Sequence, residues 1–428
     1  MLEATFVLIA VLILLLVTSA PIAVALGLTS LVYFYYFTLI PMTQVTERLF
    51  NALNSFPLMA IPFFILAANI MSRGGISRRL TDFGAAMVGH LRGGMAITTV
   101  LACMFFAAVS GSSPATVVAV GALMIPAMIK NGYPKEFSTG LVATSGSLGI
   151  LIPPSIPLIV FGIATEQNIG DLFLAGILPG ILAGVMLLAM AVFVAWRKGY
   201  GHAGAGFKLS TADKLKAFRD AILALALPFL VLGGIYSGWF TPTEAAAVAV
   251  AYSLVVSLVI YREIKISQLW EVTLSSVKTS AMVMFIIANG ILFTFVLASE
   301  RIPGSISATI TDWDLQPWQF LILVNILLLF VGCVMETSSA ILILAPILLP
   351  IAMELGIDPI HFGIIVVMNL EIGMITPPLG LNLFVASGMS GMSVMSVAKA
   401  AIPSALVLLG ALILVTFVPF FATAFVGS

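Results

Sequence analysis

Long apolar stretches separated by short polar segments recur along almost the whole chain. A helix needs roughly 20 apolar residues to cross the ~30 Å hydrocarbon core of a bilayer. The first stretch runs from about Thr5 to Ser19, and a second follows Pro21 at once. The first has neither a basic leading segment nor a small-residue cleavage site, so we expect a retained transmembrane helix. The pattern predicts an all-α protein that passes through the membrane many times.

Two apolar stretches, residues 93–130 and 317–353, are each interrupted near the middle by a polar tip. The first tip runs from Ser110 to Thr116, and the second is Glu336-Thr337-Ser338-Ser339. Arg92 and Lys130 bracket the first stretch, and basic residues favour the cytoplasmic side. We therefore predict two re-entrant helical hairpins, each of which dips into the membrane and returns.

Two further stretches, residues 135–168 and 358–390, contain a glycine followed four residues later by Pro-Pro. Proline removes a backbone donor and clashes with the preceding turn, while glycine permits unwound geometry. Each stretch is therefore predicted to be a broken helix made of two half-helices.

The chain also contains an internal repeat. A shift of 224 positions without a gap brings six helix-breaking residues into register. The aligned pairs are Pro126 with Pro350, Gly132 with Gly356, Gly149 with Gly373, Pro153 with Pro377, Pro154 with Pro378, and Pro179 with Pro403.

Basic residues orient the two copies. A path that places residues 197–219 in the cytoplasm puts 16 of the 18 Lys and Arg residues on that side and leaves Arg48 and Arg301 outside. Both termini are then expected in the periplasm, and the two halves are inverted. Inverted repeats with broken helices near the midplane are typical of secondary transporters.

Composition narrows the class of protein further. Hydrophobic residues make up 61% of the chain and charged residues only 8%, against about a quarter charged in soluble domains. The formal net charge is zero, so no basic field exists to attract nucleic acid. The three histidines form no catalytic or metal-binding pair, and no charged ring or filter repeat is apparent. We therefore favour a carrier over an intramembrane enzyme or a channel.

The breaks suit an anionic substrate. Half-helix N-termini near Pro114 and Pro378 would present N–H groups and positive dipole ends to a carboxylate. The candidate substrate-binding residues are Ser113, Pro114, Thr116, Ser155, Thr376, Pro378 and Asn382.

The same helix breaks leave backbone carbonyls without helical partners. Together with hydroxyl groups, these carbonyls can enclose a hard cation such as Na⁺. The candidate Na⁺ ligands are Ser110, Ser112, Ser145, Gly149, Glu336, Thr337, Ser338, Asn369, Gly373 and Thr376. The alternative is that these residues serve packing and kinks, which transmembrane helices tolerate readily.

Two acidic residues lie at membrane depth. Glu336 is at a hairpin tip, Glu371 precedes a break, and the 224-residue shift pairs them with Ser112 and Ser147. Either carboxylate could be functional, or could accept from backbone N–H groups at a half-helix end. Glu244, by contrast, is predicted to close a capping box with Thr241.

These segments, together with Phe240-Thr241-Pro242-Thr243-Glu244-Ala245-Ala246-Ala247, resemble the large membrane subunit of tripartite ATP-independent periplasmic (TRAP) transporters over essentially the full length. The resemblance implies an elevator-type carrier of the bacterial inner membrane, driven by a Na⁺ gradient and without another cofactor. It implies two protein partners, a small four-helix membrane subunit and a periplasmic substrate-binding protein. Substrates would be organic acids of the C4-dicarboxylate, sialic acid or sugar acid type.

The resemblance also implies a domain arrangement. Residues 1–92 and 220–316 would form the scaffold, and 93–196 and 317–428 the moving transport domain. Segments near Thr43–Ser55 and Lys265–Ser276 would be interfacial arm helices. A self-sufficient Na⁺- or H⁺-coupled anion carrier of the same superfamily remains the alternative function.

Overall fold

The described part of the chain is almost entirely helical. The computed structural model describes residues 2–18, 20–38, 40–201, 210–302, 304–305 and 315–426. Its first half contains α1 (Leu2–Val17), α2 (Ile22–Tyr36), α3 (Met42–Leu53), α4 (Ala60–Arg73), α5 (Ile76–Val88), α6 (Gly94–Ser110), α7 (Ser113–Lys130), α8 (Lys135–Ser145), α9 (Leu148–Leu151), α10 (Ile156–Thr165) and α11 (Ile169–Lys198). A 3₁₀ turn, Phe56–Met59, leads into α4.

The second half repeats much of this order. It contains α12 (Thr211–Tyr236), α13 (Pro242–Leu254), α14 (Ile266–Ser299), α15 (Pro317–Gly332), α16 (Thr337–Glu354), α17 (Pro359–Gly373), α18 (Leu381–Ser390), α19 (Val394–Phe417) and α20 (Phe420–Thr423). A π-helical segment, Val255–Ile260, extends α13. The described residues include no strand.

Length and apolar composition confirm a multi-pass membrane protein. Within the described ranges, eight helices are long and apolar enough to cross a bilayer, or nine if the bent α8–α10 stretch is one span. That stretch bends by 41° at its break. The eight include α7 and α16, which are the second arms of the two hairpins.

Helix bounds reproduce the internal repeat. Adding 224 to the bounds of α7 gives the bounds of α16, and the first residue of α8 maps onto the first of α17. Pro114 stands in the first turn of α7, where its missing N–H costs no helical hydrogen bond. The hairpins predicted from polar tips and the helices predicted to break at Pro-Pro are therefore confirmed.

Helices of the two repeats pack against one another. Hairpin helix α7 contacts α18, α10 contacts α16, and α8 contacts α19, so each copy completes the other's core. A second group forms around α4 and α14, which contact α13 and α2, respectively. The two groups meet where α4 contacts α6 and α14 contacts α16.

Two expectations about helix bounds were wrong. Lys265–Ser276 is no separate arm helix, because α14 continues through it for 34 residues with no glycine or proline before Gly290. Helix α18 begins at Leu381, not at Pro378, because Gly380 adopts a left-handed conformation just before it.

The predicted cytoplasmic linker, 197–219, includes the ends of two helices. Helix α11 reaches Lys198 and α12 starts at Thr211, where Ser210 and Asp213 form a capping box. Residues 202–209 lie outside the described part of the chain.

Candidate functional site

The first hairpin tip is organised by its own hydroxyl groups. Gly111 adopts a left-handed conformation that ends α6, and Ser112 is extended just before α7. The Thr116 hydroxyl donates to the Ser112 carbonyl at 2.8 Å, and the Ser110 and Thr116 hydroxyl oxygens are 2.9 Å apart. The tip is therefore held in a fixed shape, while the N–H groups of Ser113 and Ala115 at the start of α7 remain without helical partners.

The second hairpin tip uses a carboxylate instead. Glu336 is the N-cap of α16, and its side chain accepts from the backbone N–H of Ser339 at 3.0 Å. The Ser338 and Ser339 hydroxyls also donate to this carboxylate, at 2.9 and 3.2 Å. Glu336 therefore accepts hydrogen bonds at the N-terminus of a half-helix, which is one of the two roles predicted for it.

The two tips face a common cavity of about 320 Å³. The two hairpins contribute Ser110 to Ala115 and Glu336 to Ser338, and the two broken helices contribute Pro157, Met374 and Leu381. Its opposite wall is formed by Ile65, Ala68 and Asn69 of α4, and Thr279, Met282, Val283 and Ile286 of α14. The cavity thus lies between the hairpin tips and the second group of helices.

The first broken helix is close behind the first tip. Ser155 caps α10, accepting from the Leu158 N–H at 3.3 Å, and the Ile156 N–H donates to the Gly111 carbonyl at 3.1 Å. Gly149 allows close approach, because a methyl group there would stand 2.7 Å from the Thr116 hydroxyl oxygen. The tip and the break therefore form one unit.

The second break is joined to the second tip in the same way. The Leu379 N–H donates to the Cys333 carbonyl at 3.1 Å, and the Gly332 and Gly373 backbones are in close contact. The Thr337 hydroxyl lies 2.9 Å from the Met374 sulfur.

Other predicted site residues lie away from the cavity. Thr376 donates to the Ile372 carbonyl at 2.8 Å and faces a groove shared with α15 and α19, and Pro378 is exposed. Asn369 is buried against Asn325, to which its amide donates. The Ser145 hydroxyl is buried without a hydrogen-bond partner.

A buried polar cluster lies where the two repeats meet. Asn382 donates to the Ser113 hydroxyl, to the Ser147 hydroxyl at 3.3 Å and to the Glu371 carboxylate at 3.1 Å. Each of the four side chains is at most 1% exposed. Sequence reasoning paired Glu371 with Ser147 by the repeat but did not join them to Asn382.

Sequence reasoning also missed the cavity's opposite wall. Asn69 is a polar residue among apolar neighbours in α4, and its amide donates to the Ser276 hydroxyl of α14 at 2.8 Å. The available signal was this single polar residue in α4, because Thr279 belongs to a longer, mostly polar run, residues 275–280 of α14.

Two hairpins and two broken helices that meet at one cavity are typical of a secondary transporter. A family model described as the DctM component of the tripartite ATP-independent periplasmic transporter matches residues 9–421. The chain belongs to this family. It is a subunit of a transporter permease, not an enzyme.

Individual relatives agree with this assignment. The chain is 51% identical over 395 residues to the C4-dicarboxylate TRAP transporter large permease protein DctM of Pseudomonas aeruginosa, covering 92% of each chain. It is 42% identical over 417 residues to the isethionate TRAP transporter permease protein DctMQ of Oleidesulfovibrio alaskensis, covering 96% of this chain and 65% of that one.

A solved structure shares the fold. The YdaH transporter of Alcanivorax borkumensis, described as having an unusual topology, superposes with a TM-score of 0.68 at 16% identity. The match covers 96% of this chain and 98% of that one.

Proposed function

We propose that the chain is the large permease subunit of a Na⁺-coupled, binding-protein-dependent importer of C4-dicarboxylates or related small organic acids. The observation that supports this most directly is the cavity between the two hairpin tips and helices α4 and α14. The two relatives described above are named for a C4-dicarboxylate and for isethionate, which are both small organic anions.

The cavity's chemistry fits weak, reversible binding of such an anion. Its lining includes hydroxyl groups of both tips and the start of α7, whose N–H groups carry partial positive charge. Glu336 is the only ionisable residue in that lining, so no arginine or lysine fixes the substrate there. Ser113 and Pro114 are the predicted substrate contacts that line the cavity, while Thr116 and Ser155 support the tip from behind.

Cations would supply the missing positive charge. The candidate ligands at the tips, Ser110, Ser112, Thr337 and Ser338, line the cavity. A cation held by their oxygens would strengthen binding of the anion, which would strengthen binding of the cation by the same factor.

The helix packing supports an elevator movement. In this proposal 93–196 and 317–428 move together, because their helices interlock across the repeat, and slide against a scaffold of 1–92 and 220–316. The moving block would carry the cavity from one side of the bacterial inner membrane to the other. A small membrane subunit would pack on the scaffold, consistent with the extra third of the isethionate relative, and a binding protein would deliver substrate outside.

Reconstitution tests the function. Proteoliposomes containing this chain, with and without its small subunit and binding protein, would be supplied with radiolabelled succinate under a Na⁺ gradient. Uptake that requires both partners and Na⁺ would support the proposal. Uptake by this chain alone would instead identify the self-sufficient carrier of the alternative hypothesis.

The cavity itself is tested with Thr279→Val, which removes one hydroxyl from its lining without changing side-chain shape. We expect a severalfold higher KM for succinate with unchanged amounts of folded protein. Thr423→Val is the matched control, because Thr423 lies on α20, outside that lining. Equal KM values in both variants would argue against substrate binding in this cavity.

A further inference from the structure

The buried cluster of Ser113, Ser147, Glu371 and Asn382 lies behind the first hairpin tip, and only Ser113 of the four also lines the cavity. Glu371 is 1% exposed, and one of its carboxylate oxygens, Oε2, has no hydrogen-bond partner. The Asn382 Oδ1 atom is also buried and without a partner. Two orphaned acceptor oxygens thus lie within one small cluster.

Glu371 also has no ion-pair partner. In the described part of the chain, the ion pairs join arginines to Glu271, Asp82 and Glu263, and none includes Glu371. A buried carboxylate without a counter-charge is strongly unfavourable when ionised, and hydrogen bonds from Asn382, Ser113 and Ser147 offset only part of that cost.

The geometry around the Asn382 amide indicates which partner would fit. Its nitrogen is close to three oxygens, from Ser113, Ser147 and Glu371, but an amide carries only two N–H donors. A half-turn of the amide would direct Oδ1 towards the same three groups. The cluster would then offer two hydroxyls, one amide oxygen and one carboxylate, which is an all-oxygen ligand set for a hard cation.

We propose that Glu371, Asn382, Ser113 and Ser147 form a monovalent cation site, with Na⁺ as the expected ion, which shares only Ser113 with the hairpin tips. The single carboxylate balances a single positive charge. Among the described residues, no three His, Cys, Asp or Glu side chains are grouped as a metal site, and the cluster itself contains one carboxylate.

The position of this site would couple the cation to the substrate. Ser113 lines the cavity, and so do Leu381, next to Asn382, and Met374, whose carbonyl accepts from the Asn382 N–H at 3.2 Å. The cluster therefore lies directly behind the cavity wall. Without a cation, an ionised Glu371 would repel an anion in the cavity, so a bound cation would favour binding of the anion.

The site also joins the two repeats. Ser113 and Ser147 belong to the first, whereas Glu371 and Asn382 belong to the second. A cation held by all four would stiffen the contact between α7 and α18, within the block proposed to move as one body.

This inference rests on the proposed Na⁺ coupling, and direct binding tests it separately from transport. Equilibrium binding of ²²Na⁺ to the purified chain would be counted for wild type, Glu371→Gln and Glu136→Gln. The last is a matched control that removes an exposed carboxylate from α8. We expect Glu371→Gln to bind one Na⁺ fewer per chain and Glu136→Gln to match wild type.

Ser147→Ala is a second variant that keeps the carboxylate, in case Glu371→Gln does not yield monodisperse protein. It is expected to raise the half-saturating Na⁺ concentration of one site severalfold. An unchanged Na⁺ count in Glu371→Gln, or an unchanged affinity in Ser147→Ala, would overturn the site and leave the proposed transport function standing. Wild type that binds no Na⁺ would remove both the site and the Na⁺ coupling of the proposed function.

Discussion

Glu336 and Ser112 occupy corresponding positions in the two repeats but stabilise their helices differently. Each directly precedes a hairpin helix, where the first N–H groups have no helical partners. Ser112 makes no side-chain cap, so those N–H groups remain available beside the cavity. Glu336 accepts from one N–H and two hydroxyls, which brings negative charge to its tip. The two halves are therefore similar in backbone but unequal in charge.

The cap at Glu336 predicts a measurable stability difference. Glu336→Ala removes the acceptor for the Ser339 N–H and should destabilise the protein by about 1 kcal/mol, the usual loss on deleting an N-cap. Glu336→Asp should lose less, because aspartate is among the preferred N-cap residues. Thermal unfolding in detergent measures both. Equal unfolding temperatures for Glu336→Ala and wild type would rule out a stabilising cap.

Gly149 predicts a second effect, which depends on close packing. A methyl group there would stand 2.7 Å from the Thr116 hydroxyl oxygen and 2.8 Å from the Ser112 carbonyl oxygen, so Gly149→Ala should displace the first tip. We expect a lower unfolding temperature and loss of succinate uptake.

Gly388→Ala in α18 is the matched control for Gly149→Ala. No atom lies within 4 Å of its added methyl group, and alanine favours a helix over glycine by about 1 kcal/mol. This variant should unfold at the same temperature as wild type or a higher one. If Gly149→Ala behaved like its control, the tip and the break could not be as tightly packed as described.

Residue types at the site could be predicted from the sequence, but their partners could not. Polar residues within apolar stretches identified both tips, and Thr241 and Glu244 form the predicted capping box. Asn382, however, contacts Ser113 from 269 positions away. Such a contact depends on how four helices pack, and no local pattern encodes that packing.

Elements bounded by helix breakers were predictable from the sequence. Both hairpins and the first broken helix end close to the expected residues, because Gly111, Pro114 and the Pro-Pro pairs act locally. Helix α14 was predicted less well. The family resemblance implied an interfacial arm helix over Lys265–Ser276, although the backbone has no breaker there and Val272 is buried with Ile70 of α4. Tertiary packing decided the outcome there.

The continuity of α14 can be measured as a distance. A helix rises about 1.5 Å per residue, so positions 270 and 299 of one helix should be about 44 Å apart. Trp270 and Ser299 are both exposed, and cysteines there can carry spin labels for pulsed dipolar spectroscopy, with Cys103 and Cys333 replaced. A separate arm lying along the membrane surface would shorten that distance by roughly 10 Å. A labelled pair at 281 and 299, within the span on either interpretation, serves as the reference.

The architecture of the whole molecule follows from the repeat and the basic residues together. The repeat gives each half one hairpin and one broken helix, and the helix bounds confirm that correspondence. The basic residues give direction, because they concentrate at alternate ends of the predicted spans. Similar helix bounds do not by themselves make the two repeats inverted. For the repeats to be inverted, each half must cross the membrane an odd number of times.

Reporter fusions test that odd number. Alkaline phosphatase is active only outside the cytoplasm and green fluorescent protein folds only inside it, so one reporter complements the other. We expect a C-terminal phosphatase fusion to be active, and fluorescent protein inserted between α11 and α12 to be bright. A bright C-terminal fluorescent fusion would mean an even number of crossings from α12 onwards, with α12 included. The two halves would then be parallel, both hairpins would enter from one side, and the shared cavity could not be approached by opposite half-helices.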